Sequence, residues 1–135
     1  MFATTAPTPV TVNRLMEWPV ATVDSDATLA AVAQALAEYE VGALAVMDDD
    51  ALVGVISERD IVVHIGQGAN LDHVTAAEVM ATELVTVDPT ATVVEAARLM
   101  IESGVRHLPV LAEENDDLVG FLSVRAVVEA LAARE

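Results

Sequence analysis

The chain carries one pattern twice. Slid by 64 residues, Thr11-Val-Asn-Arg-Leu-Met16 falls over Thr75-Ala-Ala-Glu-Val-Met80, and Val20-Ala-Thr-Val-Asp24 over Leu84-Val-Thr-Val-Asp88. The register continues through Ala27-Thr28 over Ala91-Thr92 and Val41-Gly-Ala-Leu-Ala-Val46 over Val105-Arg-His-Leu-Pro-Val110. After a two-residue insertion, Leu52-Val-Gly-Val-Ile-Ser57 falls over Leu118-Val-Gly-Phe-Leu-Ser123, with Arg59 over Arg125. A tandem repeat over nearly all of 135 residues predicts two similar units in one chain. A unit of about 50 residues this apolar cannot cover its own sheet. The two copies are therefore expected to pack face to face around pseudo-twofold symmetry, with paired grooves between them.

Within each copy the apolar period changes in the same order. Thr22 to Asp24 and Thr86 to Asp88 predict short strands. Leu29, Val32, Ala33 and Leu36, matched by Val93, Ala96, Ala97 and Met100, recur at helical spacing. Thr92 and Glu95 predict a capping box. Ala43 to Met47 and Leu52 to Ser57 read as strands around the acidic turn 48–50. Leu108 to Leu111 and Leu118 to Ser123 do the same around 113–117. Each hairpin runs into a last helix, Glu58 to Ile65 and Val124 to Ala133. The fold class is α+β, two β-α-β-β-α repeats. Residues 11–66 form the first repeat, 67–74 a linker and 75–135 the second, after a flexible segment 1–10.

Composition excludes several functions. Six basic against 22 acidic residues give a net charge of −16, every basic side chain is Arg, and no basic stripe offsets the excess. Nucleic acid and anionic membrane are excluded as primary partners. An apolar fraction of 54% argues against disorder, and aromatics at 3% leave an aliphatic core. The longest apolar stretch, Thr28 to Met47, is broken by Gln34, Glu38 and Glu40, so no membrane span is expected. Residues 1–9 lack the basic start and apolar block of a signal peptide, and there is no Cys, which makes the cytoplasm the expected location. The acidic, Lys-free surface fits either a salty cytoplasm or a biased genome.

Three local motifs carry a resemblance. Gly54-Val-Ile-Ser57-Glu-Arg-Asp60 follows the glycine, two apolar residues, Ser or Thr, two residues, Asp pattern of the cystathionine beta-synthase (CBS) domain. Arg106-His-Leu-Pro-Val110 and the Val-Thr-Val-Asp-Pro run ending at Pro89 resemble that family's other signatures. The chain resembles a stand-alone CBS pair, a Bateman module, from about Thr11 to Ala133. The resemblance implies regulatory binding of an adenosine ligand, AMP, ADP, ATP or S-adenosylmethionine, with no cofactor required. It implies a homodimer and an unknown regulated protein as further partners.

Carried over position by position, Asp60 is the ribose acceptor and Ser57 a supporting hydroxyl beside free backbone N–H groups that face a phosphate. Val55, Ile56 and Val85 flank the adenine. Arg106, His107 and Arg125 match positions that face the phosphate. The symmetric site is weaker: Ala126 stands where the first copy has Asp60, and Gly42 and Ala43 stand where the second has Arg106 and His107, leaving Arg59 and Ser123. One competent site per chain is expected.

Blander readings accompany these. Ser and Asp at 57 and 60 also suit an ordinary helix start, and Arg106 and His107 could pair with acidic neighbours. The acidic turns read as solvated, and His64 and His73 as solvent-facing, so no metal ligands are assigned. Trp18 reads as a core or interface anchor. No catalytic residue is assigned, because no nucleophile, P-loop or paired-histidine motif assembles. The alternative function is a structural interaction module without ligand.

Overall fold

The computed structural model describes residues 9–133. The flexible segment expected at 1–10 lies, for residues 1–8, outside the described residues. The chain forms two compact units: the first is Pro19–Val85, and the second joins residue 86 onward to the stretch ending at Trp18.

The first unit begins with β1 (Thr22–Asp24), α1 (Leu29–Tyr39), β2 (Ala43–Asp48), β3 (Ala51–Ser57) and α2 (Glu58–Gly66), the expected order. A short α3 (Ala76–Val79) follows. The strands form one sheet in the order β1-β2-β3, β1 parallel and β3 antiparallel to β2. Thr28 starts α1 by accepting the Ala31 N–H at 3.2 Å, and the apolar stripe of the helix buries Leu29, Val32 and Leu36. These pack with Leu44, Val46, Ile56, Ile61 and Ala76 in an aliphatic core.

The second unit repeats the plan with α4 (Val93–Ser103), β4 (His107–Leu111), β5 (Leu118–Ser123) and α5 (Val124–Ala132). The Thr92–Glu95 capping box forms as expected. The strand expected at Thr86–Asp88 shrinks to a single bridge, Val87 to Val110. Two prolines explain the loss. In the first unit Ser25 N–H donates to Met47 O at 2.9 Å and Ala45 N–H to Ala21 O at 3.2 Å. The matching residues are Pro89 and Pro109, which have no N–H to give. Past the bridge, Asp88 turns the chain by accepting from Thr90 Oγ1 at 2.6 Å and Thr90 N–H at 2.8 Å. Those bonds hold its carboxyl below its ordinary pKa.

The segments that open each repeat do structural work that periodicity did not predict. Residues 12–14 form a 3-10 turn inside the second unit. Val12 N–H donates to Ala91 O at 2.8 Å, Asn13 N–H to Pro89 O at 2.9 Å, and Glu17 and Phe121 exchange backbone bonds at 2.8 and 3.2 Å. In the first unit Ala76 N–H donates to Ala27 O at 2.8 Å, Ala77 N–H to Ser25 O at 2.9 Å, and Val55 and Ala81 exchange bonds at 3.1 and 2.9 Å. The repeat units of sequence and the compact units of structure are therefore divided at different places. The linker also participates, since Leu71 and Val74 pack on the first core.

A methionine closes each of these segments onto a glycine. A Cβ built on Gly54 would lie 2.4 Å from Met80 Sδ and 3.0 Å from the Ala81 carbonyl; one on Gly120 would lie 2.2 Å from Met16 Sδ. The motif glycine is thus a packing requirement. Trp18, expected as a core or interface anchor, is 71% exposed and outside the core, which leaves the interface reading. Among the described residues no helix is long and apolar enough to cross a membrane, and no buried polar residue occurs.

Two substitutions test this packing. Gly54→Val should cost about 1 to 3 kcal/mol in urea unfolding by driving a side chain into Met80 and the Ala81 carbonyl, whereas Gly66→Ala, with nothing within 4 Å, should not destabilise. Glu40 ends α1 in the left-handed region at φ 55°, where the second unit has Gly104. Glu40→Gly should stabilise by about 0.5 to 1 kcal/mol in the same assay.

Candidate functional site

The strand β3 passes into α2 without a loop, and Ser57 is the joint. Its backbone is extended, at φ −116° and ψ 165°, and it is the N-cap of the helix. The i, i+3 spacing to Asp60 completes a reciprocal capping box. Ser57 Oγ accepts the Asp60 N–H at 3.2 Å, and Asp60 Oδ2 accepts both the Ser57 N–H at 2.8 Å and the Ser57 hydroxyl at 3.0 Å. A carboxylate that is half-buried at the first turn of a helix is also favoured by the helix dipole. Oδ1 is left to accept.

The free N–H groups expected here are largely spoken for. Glu58 N–H donates to Gly42 O at 2.9 Å, and Asp60 N–H is taken by Ser57. Gly42 thus enters through its carbonyl. His64, expected to face solvent, is half-buried with Nδ1 2.8 Å from the Asp60 carbonyl, and ties the first turn of α2 to the second. His73 is exposed as expected.

The three residues assigned to adenine differ in what they offer. Val55 and Val85 are half-buried, but Ile56 is fully buried in the core against Leu29 and Leu44. Side chains alternate along a strand, so with Ser57 turned outward its neighbour must point inward. Ile56 can present only its backbone.

In the second unit the same joint lacks the carboxylate. Ser123 Oγ accepts the Ala126 N–H at 3.2 Å, and nothing returns from residue 126. Val124 N–H donates to Arg106 O at 2.8 Å, the counterpart of the Glu58 to Gly42 bond. The pairing of β4 with β5 sets His107 opposite Ser123, and the His107 ring stacks on Phe121 with centroids 5.7 Å apart. Phe121 was not singled out in the sequence, although the repeat aligns it with Val55. Arg106 and Arg59 are exposed. Arg125, 88% exposed, pairs with Glu129 at 2.9 Å, an i, i+4 surface pair that adds little stability and is readily exchanged.

An open groove of about 370 Å³ in the second unit is lined by Asp88, Glu95, Arg98 and Glu102 among others, and by none of the assigned residues. Among the described residues no three His, Asp or Glu side chains gather to hold a metal ion.

Comparison with known proteins identifies the family. The CBS domain family model matches twice, over residues 12–66 and 76–133. Hypoxic response protein 1 of Mycobacterium tuberculosis is 37% identical over 116 residues, 84% of this chain and 79% of that protein. An uncharacterized protein of Methanopyrus kandleri is 30% identical over 122 residues, 89% of this chain, and the chain spans only 62% of its length. Among solved structures, a CBS domain protein from Pyrobaculum aerophilum complexed with AMP superposes with a TM-score of 0.81 at 31% identity, covering 92% of this chain and 99% of that one. The repeat, the strand-to-helix joint and these matches place the chain in the CBS domain family, with two copies of the domain in tandem.

Proposed function

We propose that this CBS pair is a regulatory module that binds an adenosine ligand, AMP, ADP, ATP or S-adenosylmethionine, and changes its conformation or its contacts on doing so. The observation that carries the reading is the Asp60 carboxylate. It is fixed at a strand-to-helix joint by two bonds to Oδ2, with Oδ1 left as an acceptor for a ribose hydroxyl. The AMP complex of the Pyrobaculum relative supports the ligand class. Val55, Val85 and the Ile56 backbone are the adenine contacts in this proposal. Arg106, His107 and Arg125 are assigned to the anionic end of the ligand.

The second joint has a serine without its carboxylate, so the second site proposed at Ser123 is the weaker one. A ligand regulates only through unequal affinity for two conformations. The output is proposed to reach a regulated protein or a second copy of the chain, with the cytoplasm as the setting and no catalysis by the module itself. Each unit has an apolar helix face for a homodimer: Val62 on α2 is 66% exposed and Val128 on α5 57%.

Calorimetric titration with the four ligands should give saturable binding at one site per chain, and Asp60→Asn should weaken it about tenfold or more through loss of a charged acceptor. No binding of any ligand at millimolar concentration would leave the interaction module as the function. In light scattering, Val62→Asp with Val128→Asp should convert a dimer to a monomer; a wild-type monomer would refute the homodimer.

A further inference from the structure

Met16 and Met80 occupy the same place in the two copies, and each closes a segment onto the glycine of a strand. A Cβ on Gly54 of β3 would meet the Met80 sulfur first and its Cγ next at 2.6 Å; on Gly120 of β5 it would meet the Met16 sulfur first and its Cγ next at 2.7 Å. The fit needs a bare glycine face and a thioether, which is polarisable and has no proton to place. The pairing is kept in both copies although they differ elsewhere, with Asp60 against Ala126 and Gly42 against Arg106.

These sulfurs are accessible and their contacts matter to the strands. Both methionines are half-buried, whereas Met100 is 3% exposed inside the second unit. Next to Met80, Ala81 exchanges backbone bonds with Val55 at 3.1 and 2.9 Å; next to Met16, Glu17 exchanges them with Phe121 at 2.8 and 3.2 Å. β3 and β5 are edge strands, so the outward N–H groups of Val55 and Phe121 find their partners on the methionine segments. Met47 differs: it is half-buried too, but it lies within β2, which pairs with β1 on one side and β3 on the other.

We propose that Met16 and Met80 are oxidation sites, and that a peroxide which converts them to sulfoxides unlatches residues 12–17 from the second unit and 74–81 from the first. The step is an oxygen transfer. The sulfur lone pair bonds one peroxide oxygen, the O–O bond breaks, and the proton of the transferred oxygen passes to the departing one, which leaves as water or an alcohol. Sulfur is oxidised by two electrons and the peroxide is reduced by two. The product sets a bulkier, polar S–O group where the thioether met the glycine, and beside Gly54 the Ala81 carbonyl is an acceptor with no proton to give it. The segment then leaves the strand, and the edge N–H groups of Val55 and Phe121 turn to water. The device works whether or not an adenosine ligand binds, and reduction of the sulfoxides closes it again.

The test is hydrogen peroxide treatment of the full chain, with the oxidised methionines located by mass spectrometry and amide exchange followed residue by residue by NMR. Oxygen should enter Met16 and Met80 before Met100. The Val55 and Phe121 amides should then exchange about tenfold faster or more, while the amides that pair β2 with β3 stay protected, and methionine sulfoxide reductase should restore both. Met80→Leu, similar in volume and inert to peroxide, should abolish the change at Val55 and leave that at Phe121; Met16→Leu should do the reverse, and Met47→Leu should alter neither. Oxidation of Met16 and Met80 without faster exchange at the two amides would overturn the proposal. So would a response that persists in the Met16→Leu, Met80→Leu double variant, or an equal acceleration throughout the β2–β3 pair, which marks general unfolding. Should a Leu variant fail to fold, the reductase arm decides: exchange that does not slow on reduction refutes the latch.

Discussion

The second unit depends on a segment that the chain must bring back to it. Residues 86–133 contain two strands and two helices, but the backbone groups of Pro89, Ala91 and Phe121 find their partners on residues 12–17. Buried backbone groups without partners are costly, so residues before Trp18 complete this unit as a strand would. The first unit needs the same service and gets it from its own continuation, residues 74–81, which bond to Ser25, Ala27 and Val55. The order of the repeat is thus conserved in space while its ownership is exchanged. Met16 on Gly120 and Met80 on Gly54 seal the two segments in place.

That dependence explains why small chemical differences between the copies have clear structural effects. Pro89 and Pro109 remove two donors and reduce a strand to one bridge, while the antiparallel pair β4 and β5 keeps its pairing, with a register shift at Val110/Leu111 that matches the one at Val46/Met47 in the first unit. The expected helices survive unchanged, since their caps, Thr28, Ser57, Thr92 and Ser123, are local to each helix. Function is asymmetric for a similar reason. The copies share the serine at the joint of last strand and last helix, and only one retains the carboxylate three residues on. In this architecture the cap of α2 and the proposed ribose contact are one set of atoms, so the stability of the helix and the affinity of the ligand are linked at Asp60.

Charge adds a division of labour. The first unit is the more acidic, with one Arg against twelve acidic side chains, and the second unit and its returning segment hold the remaining Arg residues. Arg125 spends its charge on Glu129 at the surface, where the pair is weakly held and exchangeable. Asp60 and Ser57, by contrast, are tied by three hydrogen bonds around one short turn.

The sequence by itself determined whatever depends on near neighbours. The doubled pattern specified two repeats, the change of apolar period located the strands and helices apart from the strand expected at 86–88 and the short turns at 12–14 and 76–79, and the spacing of Ser57 and Asp60, or Thr92 and Glu95, specified caps within a residue of where they form. Those interactions span three or four residues, and spacing decides them. Tertiary structure decided whatever depends on distant partners. It gave residues 12–17 to the unit of Phe121, buried Ile56 in the core while leaving Val55 and Ser57 partly exposed, and left Trp18 in solvent. It committed the Ser57 proton to Asp60 and the Glu58 N–H to Gly42 O. A motif names the donors and acceptors it contains. Only the fold determines which of them are already paired, because a partner can lie far along the chain and still be the nearest group in space.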